Sequence, residues 1–247
     1  MSKHKYSLVD FHCHLDLYPD FDQSVIENDI LEIHTLTVTT TPRAWARNKE
    51  LADSSSYLRA ALGLRPQLVG ERAHERELWK KYLPDARYVG EIGLDAGKRF
   101  YRSFERQVEI FEYILTECAL AGGKILTVHS IRSAPKVLDL IEDKLGGSDC
   151  KVVLHWFTGS AKQAARAAEI GCYFSVNFEM LKKQEHLDML SKIPLNRILT
   201  ETDGPFTGPG QRIEILENTL NQLAALKGLT CEHLCRRIIE NLNCLEL

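Results

Sequence analysis

No stretch of this 247-residue sequence is apolar over the length a membrane span requires, so no transmembrane segment is expected. Nor does the opening Met1-Ser2-Lys3-His4-Lys5 lead into a signal-peptide core; it runs straight into a strand-like segment. Charge of neither sign dominates, with 31 Lys and Arg against 34 Asp and Glu and a formal net charge of −3. That balance excludes the electrostatic footprint of a protein that grips nucleic acid over a broad basic surface. It leaves room for a cleft that holds a few phosphates, where bound metal adds positive charge that the formal count omits. The seven cysteines are odd in number and lack framework spacing, which argues against a disulfide scaffold and for reduced thiols in a cytoplasm. Cys231 and Cys235, one helical turn apart, read as core residues of a terminal helix. Repeats, low-complexity tracts and linkers are absent too, so residues 1–247 are read as a single domain.

What the chain does have is a regular alternation. Short β-rich runs at 7–11, 35–40, 57–63, 87–93, 124–129, 151–155, 173–176 and 197–202 are separated by helical patterns. The clearest helices are expected at 104–120, 134–145, 160–170, 213–226 and 231–242. Alternation with short connections predicts a parallel sheet built from βαβ units. Eight strands in this length fit an α/β fold of the (β/α)₈ TIM-barrel type, with an open doubly wound sheet as the rival.

The first strand closes with Val9-Asp10-Phe11-His12-Cys13-His14. Side chains alternate faces along a strand, so His12 and His14 point the same way and can hold one metal ion together. Two unrelated histidines at a strand end are the plainer alternative. Four more potential ligands fall in equivalent places: Glu91 in the fourth strand, His129 and His155 closing the fifth and sixth, Asp203 after the eighth. In a barrel those strand ends make the active face. Singly, His129 reads as a satisfied core residue and Glu91 as a carboxylate held by an arginine. Six such groups at one end are harder to account for without metal, because uncompensated burial is costly. His4, His34, His74, His186 and His233 are expected in the tail or in helical stretches, on the surface.

The chain resembles the TatD family of metal-dependent hydrolases, among the amidohydrolase-like barrels. The resemblance runs from His12-Cys13-His14-Leu15-Asp16 to Asn241-Leu242-Asn243-Cys244-Leu245. It is carried most specifically by Gly90-Glu91-Ile92-Gly93-Leu94-Asp95, with support from His155-Trp156-Phe157-Thr158-Gly159 and Glu201-Thr202-Asp203-Gly204-Pro205. A narrower similarity, to the TatD-like nucleases of Qat anti-phage systems, rests on Val38-Thr39-Thr40-Thr41-Pro42-Arg43-Ala44-Trp45, Pro66-Gln67-Leu68 and Leu154-His155-Trp156-Phe157. Three positions depart from the family pattern. Arg65 stands where Gly-x-His-Pro has histidine, Ile131 where arginine often follows His-Ser, and Ala96-Gly97 where tyrosine often follows Gly-Leu-Asp. These departures bear on substrate preference rather than on metal binding.

The resemblance implies two divalent ions. His12, His14 and Asp203 would hold one, His129 and His155 the other, and Glu91 would bridge them. Asp203 and Glu91 would be the catalytic carboxylates, with Asp203 orienting a water and taking its proton. Glu201 reads either as a group that orients a ligand or as a structural hydrogen-bond partner. The mixed imidazole and carboxylate donors leave Mg²⁺, Mn²⁺ and Zn²⁺ open. Arg65 is suited to bidentate grip of a phosphate. Trp156, and beside it Phe157 and Phe206, offer stacking surfaces for a base or simply pack the loops. Lys98-Arg99-Phe100-Tyr101-Arg102 either follows a nucleic-acid backbone or forms a solvated helix start. The activity so implied is a deoxyribonuclease acting on single-stranded DNA or duplex ends, serving phage defence beside other Qat proteins. Two alternatives stay open: a hydrolase of small amides, esters or phosphoesters, and a non-catalytic subunit that binds partners.

Overall fold

Eight strands hydrogen-bond in chain order, each neighbouring pair parallel, in a computed structural model that describes residues 7–208 and 212–247. They are β1 Val9–Cys13, β2 His34–Val38, β3 Leu58–Leu62, β4 Tyr88–Asp95, β5 Ile125–Ile131, β6 Lys151–His155, β7 Tyr173–Val176 and β8 Ile198–Thr200. The ladder stops at β8, and polar contacts bridge its seam with β1. Thr200 Oγ1 donates to the Val9 carbonyl, the Asp203 amide to the His12 carbonyl at 2.8 Å, and the His14 amide to the Gly204 carbonyl at 2.8 Å. The result is a nearly closed (β/α)₈ barrel, as the alternation predicts.

β4 is buried over its whole length, as befits a parallel strand covered on both faces. Helices α1 Phe21–Ile30, α2 Trp45–Asp53, α3 Val69–Arg72, α4 Arg76–Tyr82, α5 Phe104–Ala121, α6 Ala134–Leu145, α7 Ala161–Glu169, α8 Gln184–Lys192, α9 Arg212–Lys227 and α10 Cys231–Glu246 complete the chain. α5 shows why the long helices are legible: Ile110, Phe111, Ile114, Leu115 and Cys118 recur at helical spacing and are all buried. α7 opens with a capping box in which the Ser160 side chain accepts from the Gln163 amide. α1 to α4 and α8 are not among the helices that periodicity predicts. They bury few residues, such as Val25 and Asn28 in α1, so the apolar stripe that would mark them is faint. Among the described residues no helix is long and apolar enough to cross a membrane.

Two surface expectations are corrected. His34 opens β2, half-buried, with its ring 5.4 Å from that of Tyr57, and His186 is buried on α8. The ring that covers His34 comes from a segment more than 20 residues away, which local pattern does not report. His74 and His233 are exposed as expected, and His4 lies outside the described residues.

The glycines flanking Glu91 have a steric reason. A Cβ on Gly90 would lie 2.1 Å from Thr127 Cγ2, and one on Gly93, whose φ is +129°, 2.1 Å from the His129 carbonyl oxygen. β4 therefore approaches β5 more closely than a side chain allows. Gly93→Ala is expected to destabilise the fold by about 2 kcal/mol or more, from clash and left-handed strain together. Urea unfolding reads this as a lower midpoint; an unchanged midpoint would contradict the steric account.

Candidate metal centre

The barrel brings all six candidate ligands to one end. β1 carries His12 and delivers His14 just beyond it, β4 carries Glu91, β5 His129, β6 ends on His155, and Asp203 follows β8. All six are buried. Asp203 has φ +53°, a backbone region that Asp tolerates better than most residues, and the hydrogen bond its N–H donates to the His12 carbonyl holds it there.

Glu91 lies at the middle. Its Oε1 is 2.8 Å from His129 Nδ1 and 3.6 Å from His155 Nε2. Its Oε2 is 2.9 Å from Arg65 Nε and 3.4 Å from His14 Nε2. Asp203 Oδ1 stands 3.6 Å from His14 Nε2 and 3.8 Å from His12 Nε2. The His12 and His155 rings stack with centroids 3.7 Å apart.

The far nitrogens of three histidines are tied down, which fixes what each ring presents inward. His12 Nδ1 pairs with Thr127 Oγ1 at 2.8 Å. His155 Nδ1 donates to Glu201 at 3.2 Å, and His129 Nε2 donates to Asp95 at 3.1 Å. Glu201 is held in turn by the Trp156 amide at 3.0 Å, Asn177 Nδ2 at 3.0 Å and the Ser175 hydroxyl. Asp95 accepts from Gln67 Nε2 and from the Gly97 amide, both at 2.7 Å. Glu201 is thus hydrogen-bonded by His155, Trp156, Asn177 and Ser175 at once.

Burial, reinforced by the adjacent His155, pushes His12 well below the ordinary histidine range, leaving the neutral imidazole that a metal needs. Burial acts the same way on His155, but Glu201 and Glu91 outweigh it and raise that ring well above the range. For Glu91, burial is overcome by Arg65 and the facing histidines, which hold the carboxyl well below the usual carboxylate range. Burial lifts Asp203 to about 6.

Several of these inward atoms lack an aligned hydrogen bond: His12 Nε2, both nitrogens of His14, both oxygens of Glu91, His129 Nδ1 and Asp203 Oδ1; Glu91 meets His129 and Arg65 through ion-pair contacts instead. A buried polar atom with no partner at all, such as His14 Nδ1, costs roughly 1–3 kcal/mol. A divalent cation accepts imidazole and carboxylate donors together, so the residues fit a metal. The ligand atoms of His12, His14 and Asp203 lie within 4.8 Å of one another, as do those of Glu91, His129 and His155, and those of His12, His155 and Glu201.

Around this centre the structure sorts the aromatic expectations. Phe157 is fully buried against Phe174, at 5.5 Å, so it is core and not a stacking surface. Its side chain points inward because Trp156, at φ +41°, turns the chain after β6. Phe206 is the reverse case: it is 53% exposed and sits edge-on to His14 at 5.2 Å. The guanidinium of Arg65 lies over its ring at 4.7 Å. Trp156 is half-buried at the rim, while Lys98, Arg99, Tyr101 and Arg102 are exposed where the chain leads from β4 into α5.

Sequence reasoning missed Asp95, Thr127 and the buried pair Asp10–Arg212. Asp95 carried a signal: in β4 it shares the face of Glu91 by strand parity. Asp10 carried only its oddity as a charge in an apolar run, since its partner is 202 residues away.

The chain is similar to known proteins over nearly its whole length. The profile of TatD-related DNases matches residues 9–245. Deoxyribonuclease TATDN3 of Homo sapiens is 25% identical over 95% of this chain and 92% of its own. The uncharacterized metal-dependent hydrolase YcfH of Escherichia coli K12 is 26% identical over 95% of this chain and 93% of its own. Among solved structures, the TatD homologue YjjV of Escherichia coli K12 superposes with a TM-score of 0.85 at 25% identity, covering 96% of this chain and 97% of that one. With a match that spans nearly the whole barrel, this chain belongs to the TatD-related DNase family.

Proposed function

We propose that this protein hydrolyses phosphodiester bonds of DNA with two divalent ions at the barrel mouth. The family makes it a metal-dependent hydrolase of ester bonds; the DNA substrate is the reading favoured by its deoxyribonuclease relative. The observation that supports the metal role is Glu91, buried between two sets of inward-facing donors with neither oxygen in an aligned hydrogen bond. His12, His14 and Asp203 would hold one ion and His129 and His155 the other, with Glu91 between them. Such ions, when bound, acidify water and neutralise charge that develops on phosphoryl oxygens.

The chain's own residues supply the rest. Asp203 orients the attacking water and accepts its proton. Glu201 and Asp95 keep His155 and His129 in fixed tautomers, so the donors need not reorganise. Arg65 meets a non-bridging phosphate oxygen, a task for which a guanidinium is better shaped than an ammonium. Phe206 and Trp156 flank the opening as stacking surfaces for bases. Seven free cysteines favour a reducing cytoplasm as the working compartment.

The expected result is cleavage of single-stranded or duplex DNA with Mg²⁺ or Mn²⁺ that EDTA abolishes. Absence of metal-dependent cleavage of any nucleic acid, with turnover of small esters or amides instead, would refute the DNA reading. A role in Qat phage defence rests on the local sequence stretches alone. A neighbouring ATPase gene and a QueC-like gene would support it, and full defence by a cleavage-dead variant would remove nuclease activity from it.

A further inference from the structure

The two ion sites differ in their surroundings. His129 and His155 are backed by carboxylates, Asp95 and Glu201, which strengthen an imidazole as a donor. His12 is backed by the neutral hydroxyl of Thr127, and His14 Nδ1 has no hydrogen-bond partner. The oxygens of Glu91 are unequal too. Oε1 faces only His129 and His155, whereas Oε2, beside His14, is in contact with Arg65 Nε at 2.9 Å.

Arg65 is not a casual visitor to that oxygen. It stands just past β3, its amide donates to the Thr40 carbonyl at 3.0 Å, and Pro66 stiffens the chain after it. Its side chain is 14% exposed, with the guanidinium laid over Phe206, whose ring also meets His14. A guanidinium keeps its charge at every pH a protein survives. Charge fixed beside a carboxylate oxygen in a poorly solvated site takes up part of the attraction that oxygen offers an incoming cation.

We propose that Arg65 is a built-in cation of this centre: it makes the ion site at His12, His14 and Asp203 at least tenfold weaker than the site at Glu91, His129 and His155. The inference rests on the metal-centre reading above. The weak ion then joins when a substrate phosphate arrives and shares the guanidinium, so its occupancy is coupled to substrate while the strong ion is resident. The chemistry of the weak position thus suits a cation drawn in with the polyanion.

The test is calorimetric titration of the metal-stripped, full-length protein with Mn²⁺, together with the metal content after dialysis. The wild type is expected to keep one ion per chain and to bind a second at least tenfold more weakly. Asp203→Asn should erase the weak event and spare the strong one. Arg65→Gln should tighten the weak site at least tenfold, and Arg65→Lys, which keeps the charge, should not. Two ions of equal affinity in the wild type would overturn the proposal, as would a weak site indifferent to Arg65→Gln. Binding of no ion at all is a different result: it refutes the metal centre itself.

Discussion

Asp203→Asn is expected to lower the rate of the proposed DNA hydrolysis by about 10³-fold or more while the barrel stays folded. Asparagine matches the shape of aspartate and tolerates the positive φ at this position nearly as well. The backbone bond from residue 203 to the His12 carbonyl does not involve the side chain and survives. What goes is a carboxylate charge beside His12 and His14, and with it the proposed proton acceptor. Loss of a positioned base alone costs roughly 10²–10⁴-fold. Single-turnover cleavage of an oligonucleotide measures the loss, and a variant that keeps more than about a tenth of the rate would remove Asp203 from the mechanism. The same substitution has an opposite sign in stability. Burial raises the Asp203 pKa from 3.8 to about 6, so in the metal-free protein its stability contribution is present at low pH and declines as pH rises through that value. Asp203→Asn should therefore leave metal-free stability unchanged near pH 3 and increase it above pH 6. Function, in other words, is what keeps an unfavourable buried charge there.

Asp10→Ala is expected to lower the melting temperature by about 10 °C. Asp10 is fully buried and accepts from the Thr202 amide at 2.7 Å, Thr202 Oγ1 at 2.8 Å and Arg212 Nε at 2.7 Å. Arg212 reaches on to Asn28 Oδ1 at 2.9 Å and to the Thr35 hydroxyl. Removing Asp10 strands that guanidinium without a counter-charge, which costs about 3–5 kcal/mol. For a chain of this size each kcal/mol moves the melting temperature roughly 2–4 °C. Because Thr202 precedes Asp203, cleavage should fall as well. Adding Arg212→Met should recover part of the stability but not the activity, since the uncompensated charge is gone while Thr202 stays unseated. A drop below about 2 °C for the single variant would show that this network does not carry the seam between β8 and β1.

Much of the barrel was legible because parallel strands and long helices advertise themselves locally. β6 and β7 fall at 151–155 and 173–176 and α6 at 134–145, as predicted. The donor types of the centre were legible for the same reason: His12, His129, His155 and Asp203 close or follow short apolar runs with strand character, and Glu91 lies within one. Phe157 and Phe206 were not separable in the sequence, because both are aromatic residues in loops just past a ligand. A turn at Trp156 sends one into the core, and the other stays open over Arg65.

The sequence by itself determined that six metal-type donors sit at one end of an alternating α/β chain, since strand parity and chain order are local properties. Only the tertiary structure decided how they act together. It set which nitrogen His12, His129 and His155 turn inward, because Thr127, Asp95 and Glu201 arrive from other segments. It joined Arg65 to one oxygen of Glu91 across the gap between β3 and β4. And it paired Asp10 with Arg212 from the far end of the chain. Such contacts depend on which surfaces come together when the barrel curls, and no local periodicity encodes that.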